Sequence, residues 1–235
     1  MGRAPVVAEG RQRTSGLTAA MTRDGESLAR IDLIAAALVA RARPTIYRLG
    51  TNTADVESAQ RLRARAVIEH GWARPDELPD GREEDAGDDR AVHVLAILDG
   101  EPIGTCRLIF PEEGWLLPME QSPGAMRMPS EAVEVGRVVV LHPIARAQRS
   151  AVAGLMGAAW LEVRARGFQR ICGSVSPPLL RLYRRLGFVL HVVGPPVTTF
   201  GEERLPVIFE PDPESAAVAA ARHGTSSRAS GTSCG

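Results

Sequence analysis

The residues with chemical potential are charged side chains set inside apolar runs. Glu134 and Arg137 lie in Glu134-Val135-Gly136-Arg137-Val138-Val139-Val140, and Arg107 lies in Gly104-Thr105-Cys106-Arg107-Leu108. Both runs read as β-strands. An acid or an arginine among valines is costly to bury unless it is paired or used. Strict alternation sends residues three apart to opposite faces, so Glu134 and Arg137 meet only if the strand is irregular. Gly136 stands between them, and glycine often marks a bulge or a close backbone approach. Two readings are open at this point: a structural ion pair, or a carboxylate base beside a cation.

The elements that must position these residues follow from periodicity. Residues 1–25, rich in Gly, Arg and Thr, are expected to be mobile. Leu28, Ile31, Ile34 and Leu38 predict a helix over 26–43. A short strand over 45–49 follows, then a helix over 54–70 capped by Asn52 or Thr53. The stretch 73–90 is rich in Pro, Gly and acids and reads as a loop. Strands are predicted over 91–98 and 101–110, joined by the hairpin signal Asp99-Gly100. A loop over 111–130 leads to a strand over 132–141. A helix over 148–166 is stopped by Gly167, and a strand spans 168–174. Pro177 opens a further helix closed by Gly187, and strands over 188–193 and 204–209 complete the sheet. The Ala-, Ser- and Gly-rich residues 211–235 are expected to be disordered. This order predicts an α+β fold: a mixed, mostly antiparallel twisted sheet flanked by helices. The expected organisation is an N-terminal extension over 1–44, one domain over 45–210, and a tail over 211–235.

Composition narrows the function classes. The chain has 235 residues, formal net charge zero and 44% apolar residues. No strong field draws it to nucleic acid or to an anionic membrane. All 28 basic residues are arginine, which excludes lysine-based chemistry. The three cysteines, Cys106, Cys172 and Cys234, show no metal-ligand spacing and no even disulfide set. A reducing, cytoplasmic location fits them. His93 and His142 lack metal-ligand companions, and the apolar run 31–40 is too short to cross a bilayer, so stable membrane insertion is not expected. Neither Gly-x-Gly-x-x-Gly nor Gly-x-x-x-x-Gly-Lys-Ser/Thr occurs, which removes the common nucleotide-phosphate loops.

The element order, with Leu182-Tyr183-Arg184-Arg185-Leu186-Gly187-Phe188 near its end, resembles the GNAT acyltransferase superfamily. A finer resemblance runs over about residues 61–210. Its pieces are Arg63-Ala64-Arg65-Ala66-Val67-Ile68-Glu69-His70-Gly71-Trp72, then Glu84-Asp85-Ala86-Gly87-Asp88-Asp89, then His93-Val94-Leu95-Ala96. Gly104 to Leu108, Glu134 to Arg137, and Gly194-Pro195-Pro196 with Gly201-Glu202-Glu203 follow in order. Together these resemble acyl-homoserine lactone (autoinducer) synthases and long-chain N-acyl amino acid synthases of bacteria. The chain departs from their pattern in three places. Val67-Ile68 stands where an aromatic residue helps hold S-adenosylmethionine, and Gly136 replaces a usual serine. Arg149 replaces the first glycine of the acetyltransferase pyrophosphate loop, within Arg146-Ala147-Gln148-Arg149-Ser150-Ala151.

The resemblance implies transfer of a medium or long acyl group from acyl carrier protein or coenzyme A to an amine. No bound cofactor or metal is implied; the acyl thioester is a co-substrate. Such transfer requires an ammonium to lose a proton, a carbonyl to be polarised and an oxyanion to be stabilised. Glu134 would be the base, a bulge at Gly136 would free a backbone N–H, and Arg137 would complete the catalytic group. Arg107, Asp85 and Asp88 would form a charge network around the acceptor, with Asp89 as the alternative partner. Arg63 and Arg65 would hold an acceptor carboxylate, and Trp72 would cover the pocket. Trp115, Met119 and Met126 would line an acyl channel. Arg146, Arg149 and Tyr183 would meet the donor, and the altered loop favours carrier protein. The expected reaction is N-acylation of an amino acid-like amine. Autoinducer synthesis from S-adenosylmethionine is the near alternative, and a non-catalytic acyl-binding module is the rival of another class.

Overall fold

In a computed structural model, residues 9–121, 126–186, 188–199 and 201–211 are described, with 217 and 221 besides. Helix α1 (Glu9–Arg41) leads to strand β1 (Ile46–Leu49) and helix α2 (Thr53–Glu69). Strands β2 (Ala91–Leu98), β3 (Glu101–Ile109) and β4 (Ala132–Val140) form a meander. Helix α3 (Ala145–Ala165), β5 (Arg170–Val175) and helix α4 (Pro177–Leu186) follow. Strands β6 (His191–Val192), β7 (Val197–Thr199) and β8 (Glu202–Phe209) close the fold. The sheet runs β1-β2-β3-β4-β5-β8-β6, with β7 paired to β8. Every pairing is antiparallel except β4 with β5. This is the mixed, mostly antiparallel α+β fold that the pattern predicts.

The local signals act as expected at most boundaries. Asn52 caps α2 by accepting a hydrogen bond from the Asp55 amide, and Gly167 ends α3 with φ of 87°. Asp99 and Gly100 both take positive φ in the β2–β3 hairpin, as a tight turn there requires. Three elements differ from expectation. Helix α1 begins at Glu9, not near residue 26, because no breaker interrupts the segment strongly enough to stop a helix already anchored downstream. Helix α3 begins at Ala145, so Arg146 and Arg149 fall in its first turns. The strand expected over 188–193 shrinks to His191–Val192, and β7 was not anticipated. Gly187 lies outside the described residues, as does nearly all of 211–235.

The sheet has two working faces. Helices α1 and α3 cover one, over a core that includes Ile31, Leu38, Val94, Leu108, Leu155, Trp160, Tyr183 and Phe209. Helix α1 approaches α3 closely because Gly157 leaves room: a Cβ there would stand 2.6 Å from the Ala35 carbonyl oxygen. Asp32 clamps the contact by accepting from Trp160 Nε1 at 2.7 Å. Helix α2 covers part of the other face, where Ala59 packs on Leu95 and Ile97. That second face carries the charged residues.

Candidate active site

One added residue in β4 builds the site. Thr105 pairs with Val139 and Arg107 with Gly136, so Arg137 and Val138 together oppose Cys106. This is a bulge, and it turns Arg137 to the face that Glu134 and Arg107 share. Arg137 rather than Gly136 takes the unusual backbone, with φ of 51°. The bulge therefore lies one residue beyond its expected place, and Gly136 stays in ladder register. On the other side, the pairing of β4 with β5 ends at Glu134–Cys172. Beyond that point each strand is paired only on its far side.

The charged residues of this face close into a ring. Arg63 meets Asp88 at 2.5 Å, and Asp88 meets Arg107 at 3.0 Å. Arg107 meets Asp85 at 2.5 Å, and Asp85 meets Arg137 at 2.7 Å. Arg137 meets Glu83 at 2.9 Å, and Glu83 returns to Arg63 at 2.6 Å. Three arginines and three carboxylates alternate, so the ring is neutral. The side chains of Arg63 and Arg107 are only 1% and 2% exposed, whereas Arg137 and Asp85 are 28% and 34% exposed. The ring thus has a buried side and a cleft side. Burial opposes ionisation of Asp85 and Asp88, but the guanidinium hydrogen bonds and fields win and hold both below the usual carboxylate range.

Glu134 sits beside the ring, buried, and accepts a hydrogen bond from the Met119 amide at 2.9 Å. Burial pushes its carboxyl above the usual value, against the Met119 amide and the fields of Arg107 and Arg137. His93 lies behind the ring, 3.9 Å from Asp88, and burial pushes its imidazole down towards the neutral form. Cys106 is enclosed and its thiol is pushed up to about 12 by burial, so it is no nucleophile.

The expected residues divide between places. Glu134, Arg137, Arg107, Asp85 and Asp88 come together. Glu83, which the sequence reading did not single out, joins them; Asp89, the alternative partner, is exposed and outside the ring. Arg63 is expected to hold a substrate carboxylate, but its guanidinium is engaged by Glu83 and Asp88. Arg65 points elsewhere: it is 64% exposed and lines a cleft of about 420 Å³ with Leu141, His142 and Gln148. Trp72 is half-buried, donates to Glu202 at 3.2 Å and lies under the Arg204 guanidinium. Trp115 and Met119 pack with Ile109, Leu117, Ala132 and Cys172 in an apolar cluster next to Glu134. Met126 is 49% exposed and apart from that cluster, facing Gly194. Tyr183 is in the principal core, where burial raises its hydroxyl. Arg146 and Arg149 are exposed at the start of α3. There Gln148 accepts from the His142 amide at 2.8 Å, and His142 Nδ1 accepts from the Ile144 amide at 2.9 Å.

No protein family matches the chain, and no curated protein does. Solved structures do. TofI, in a ternary complex with an inhibitor and MTA, is 26% identical with a TM-score of 0.60, over 74% of this chain and 95% of TofI. The acyl-homoserine lactone synthase LasI is 16% identical with a TM-score of 0.61, over 76% and 95%. BjaI, a coenzyme A-dependent acyl-homoserine lactone synthase solved with SAM and isopentyl-CoA, is 23% identical with a TM-score of 0.56, over 72% and 82%. The fold is that of the acyl-homoserine lactone synthases. Within that synthase fold, the bulge, the ring and Glu134 lie where β4 parts from β5. Among the described residues, no cluster could hold a metal ion, and no helix is long and apolar enough to cross a membrane.

Proposed function

We propose that the chain is an N-acyltransferase that moves a medium or long acyl group from a thioester to an amino acid-like amine. The observation that carries this reading is Glu134: a carboxyl raised by burial, beside a bulge and a preorganised ring of charges. A carboxyl raised by burial is a stronger base. The amine nitrogen attacks the thioester carbonyl carbon, and Glu134 takes the ammonium proton directly or through water. Backbone N–H groups released from the ladder at the bulge stabilise the oxyanion. Collapse breaks the carbon–sulfur bond, and the thiolate leaves and takes up a proton.

The ring gives the acceptor a fixed floor. An acceptor carboxylate would meet Arg137, the most exposed of the three arginines, by competing with Asp85 or Glu83. The apolar cluster of Ile109, Leu117, Met119 and Cys172 would receive the acyl chain. The donor side supports carrier protein over coenzyme A. Two amides before α3 are already bonded by Gln148 and His142, and Arg149 stands in place of a glycine.

Autoinducer synthesis is the second reading, favoured by the 26% identity to TofI, whose structure holds MTA. Against it, Val67 is buried within α2, where the resembled pattern has an aromatic residue. A direct contest decides: acyl thioester is supplied with mixed amino acids or with S-adenosylmethionine, and products are read by mass spectrometry. N-acyl amino acids are expected. Release of methylthioadenosine with a lactone would overturn the acceptor assignment, and no thiol release with either would overturn acyl transfer.

A further inference from the structure

Gly136 is a strand glycine that the backbone and packing do not require. It lies inside β4, where a glycine weakens a strand. Its backbone φ is not positive. Nothing crowds it either: among the described residues, an added Cβ would meet only Glu134 Oε1, at 3.8 Å. Other strand glycines have plain reasons. A Cβ on Gly104 would stand 2.8 Å from the Val139 carbonyl oxygen, and one on Gly173 would stand 2.5 Å from that of Val135. Gly136 therefore leaves a space, and the space is on the Glu134 face, opposite Arg107.

Its position indicates what fills the space. Gly136 is the first residue of that face beyond Glu134–Cys172, where β4 and β5 stop pairing. We propose that a thioester lies between the two strands with its carbonyl beside Glu134 and the carbon next to that carbonyl over Gly136, so that Gly136 is a specificity-determining residue that admits acyl donors substituted on that carbon, by a methyl branch or a ring. This deepens the acyl-transfer reading and rests on it. A side chain at position 136 would occupy the volume of such a branch, while a straight chain would still pass.

Gly136→Ala and Gly136→Ser test this, since the fold has room for either, and an unchanged melting temperature verifies it. Pantetheine thioesters carry the reacting end common to both donor classes, so isobutyryl and benzoyl forms are compared with butyryl and hexanoyl forms. The substitutions are expected to shift the kcat/KM ratio towards straight chains by about tenfold or more, the scale on which a pocket senses a methyl-sized group. The same shift is expected in calorimetric binding of unreactive analogues with CH2 in place of sulfur. An unmoved ratio overturns the proposal, as does a change confined to the amine KM or a wild-type protein that excludes branched donors. If no thioester is turned over at all, the acyl-transfer reading fails, and the binding ratio alone still decides the role of Gly136.

Discussion

The bulge of β4 and the strand's end at α3 handle charge in opposite ways. At the bulge, Glu83, Asp85 and Asp88 lock Arg63, Arg107 and Arg137 into a ring that is largely shut off from water. At the α3 end, Arg65, Arg146 and Arg149 stand exposed. Both regions are arginine-rich, yet burial separates their physics. Buried pairs are expensive to break, because the remaining partner keeps its desolvation cost without its counter-charge. Exposed arginines add little stability but act at a distance on a charged partner. The ring therefore sets geometry, and the α3 end is suited to attracting a donor.

The largest expected effect comes from opening the ring at its buried side. Asp88→Asn should cost about 3–5 kcal/mol, read by urea unfolding, whereas Arg65→Gln should change stability by less than about 0.5 kcal/mol. Equal losses would erase the contrast between the two regions. The pH dependence follows from the same residue. The folded Asp88 carboxyl lies below its unfolded value of about 3.9, so its stabilisation is present above that pH and disappears as pH falls through the folded value. The wild-type protein should lose stability on acidification more steeply than Asp88→Asn.

A smaller effect should come from the cleft side of the ring. Glu83→Gln weakens one hold on Arg137 while keeping the shape. With that competitor neutral, the amine KM should fall about tenfold, with a smaller change in kcat, if Arg137 is needed mainly to bind the acceptor. A fall in kcat at constant KM would move Glu83 out of positioning and into the chemical step. The smallest effect belongs to the α3 end of β4. Arg146→Gln with Arg149→Gln should weaken use of acyl carrier protein by roughly threefold to tenfold at low salt and less at high salt. Acyl-coenzyme A kinetics should change little; an equal loss with both donors would put coenzyme A phosphates at these arginines.

What the sequence disclosed of this contrast depended on local regularity. Strand pattern, the Asp99-Gly100 turn, the Asn52 cap and the Gly167 stop carried most of the topology. Glu134, Arg137 and Arg107 were legible because charges within valine-rich strands need a reason. Glu83 was missed because residues 73–90 form short turns without a period, and a loop has no face to read. Assigning Arg63 and Arg65 to one acceptor site was avoidable. At about 100° per residue the two point nearly opposite ways, and Arg63 shares its face with the buried Ala59, Ala66 and Val67. The bulge was anticipated, but its residue was not, since glycine is the usual host for positive φ and here Arg137 is. The burial of Tyr183 was not foreseen because an amphipathic helix does not announce whether a tyrosine lies at its cleft end or over the core.

Glu134, raised by burial, is the proposed base for acyl transfer. The measurement that tests it most directly is thiol release with an acyl thioester and an amine, for wild type and Glu134→Gln, from about pH 5 to 9, with urea unfolding of both at neutral pH. A group raised in the folded state opposes folding once it is ionised, so the uncharged variant should be the more stable protein at neutral pH. It should also be about 10²-fold slower and lack the acid limb that the wild-type profile shows as Glu134 becomes protonated. A stable Glu134→Gln protein that keeps wild-type turnover and the same acid limb would contradict the account.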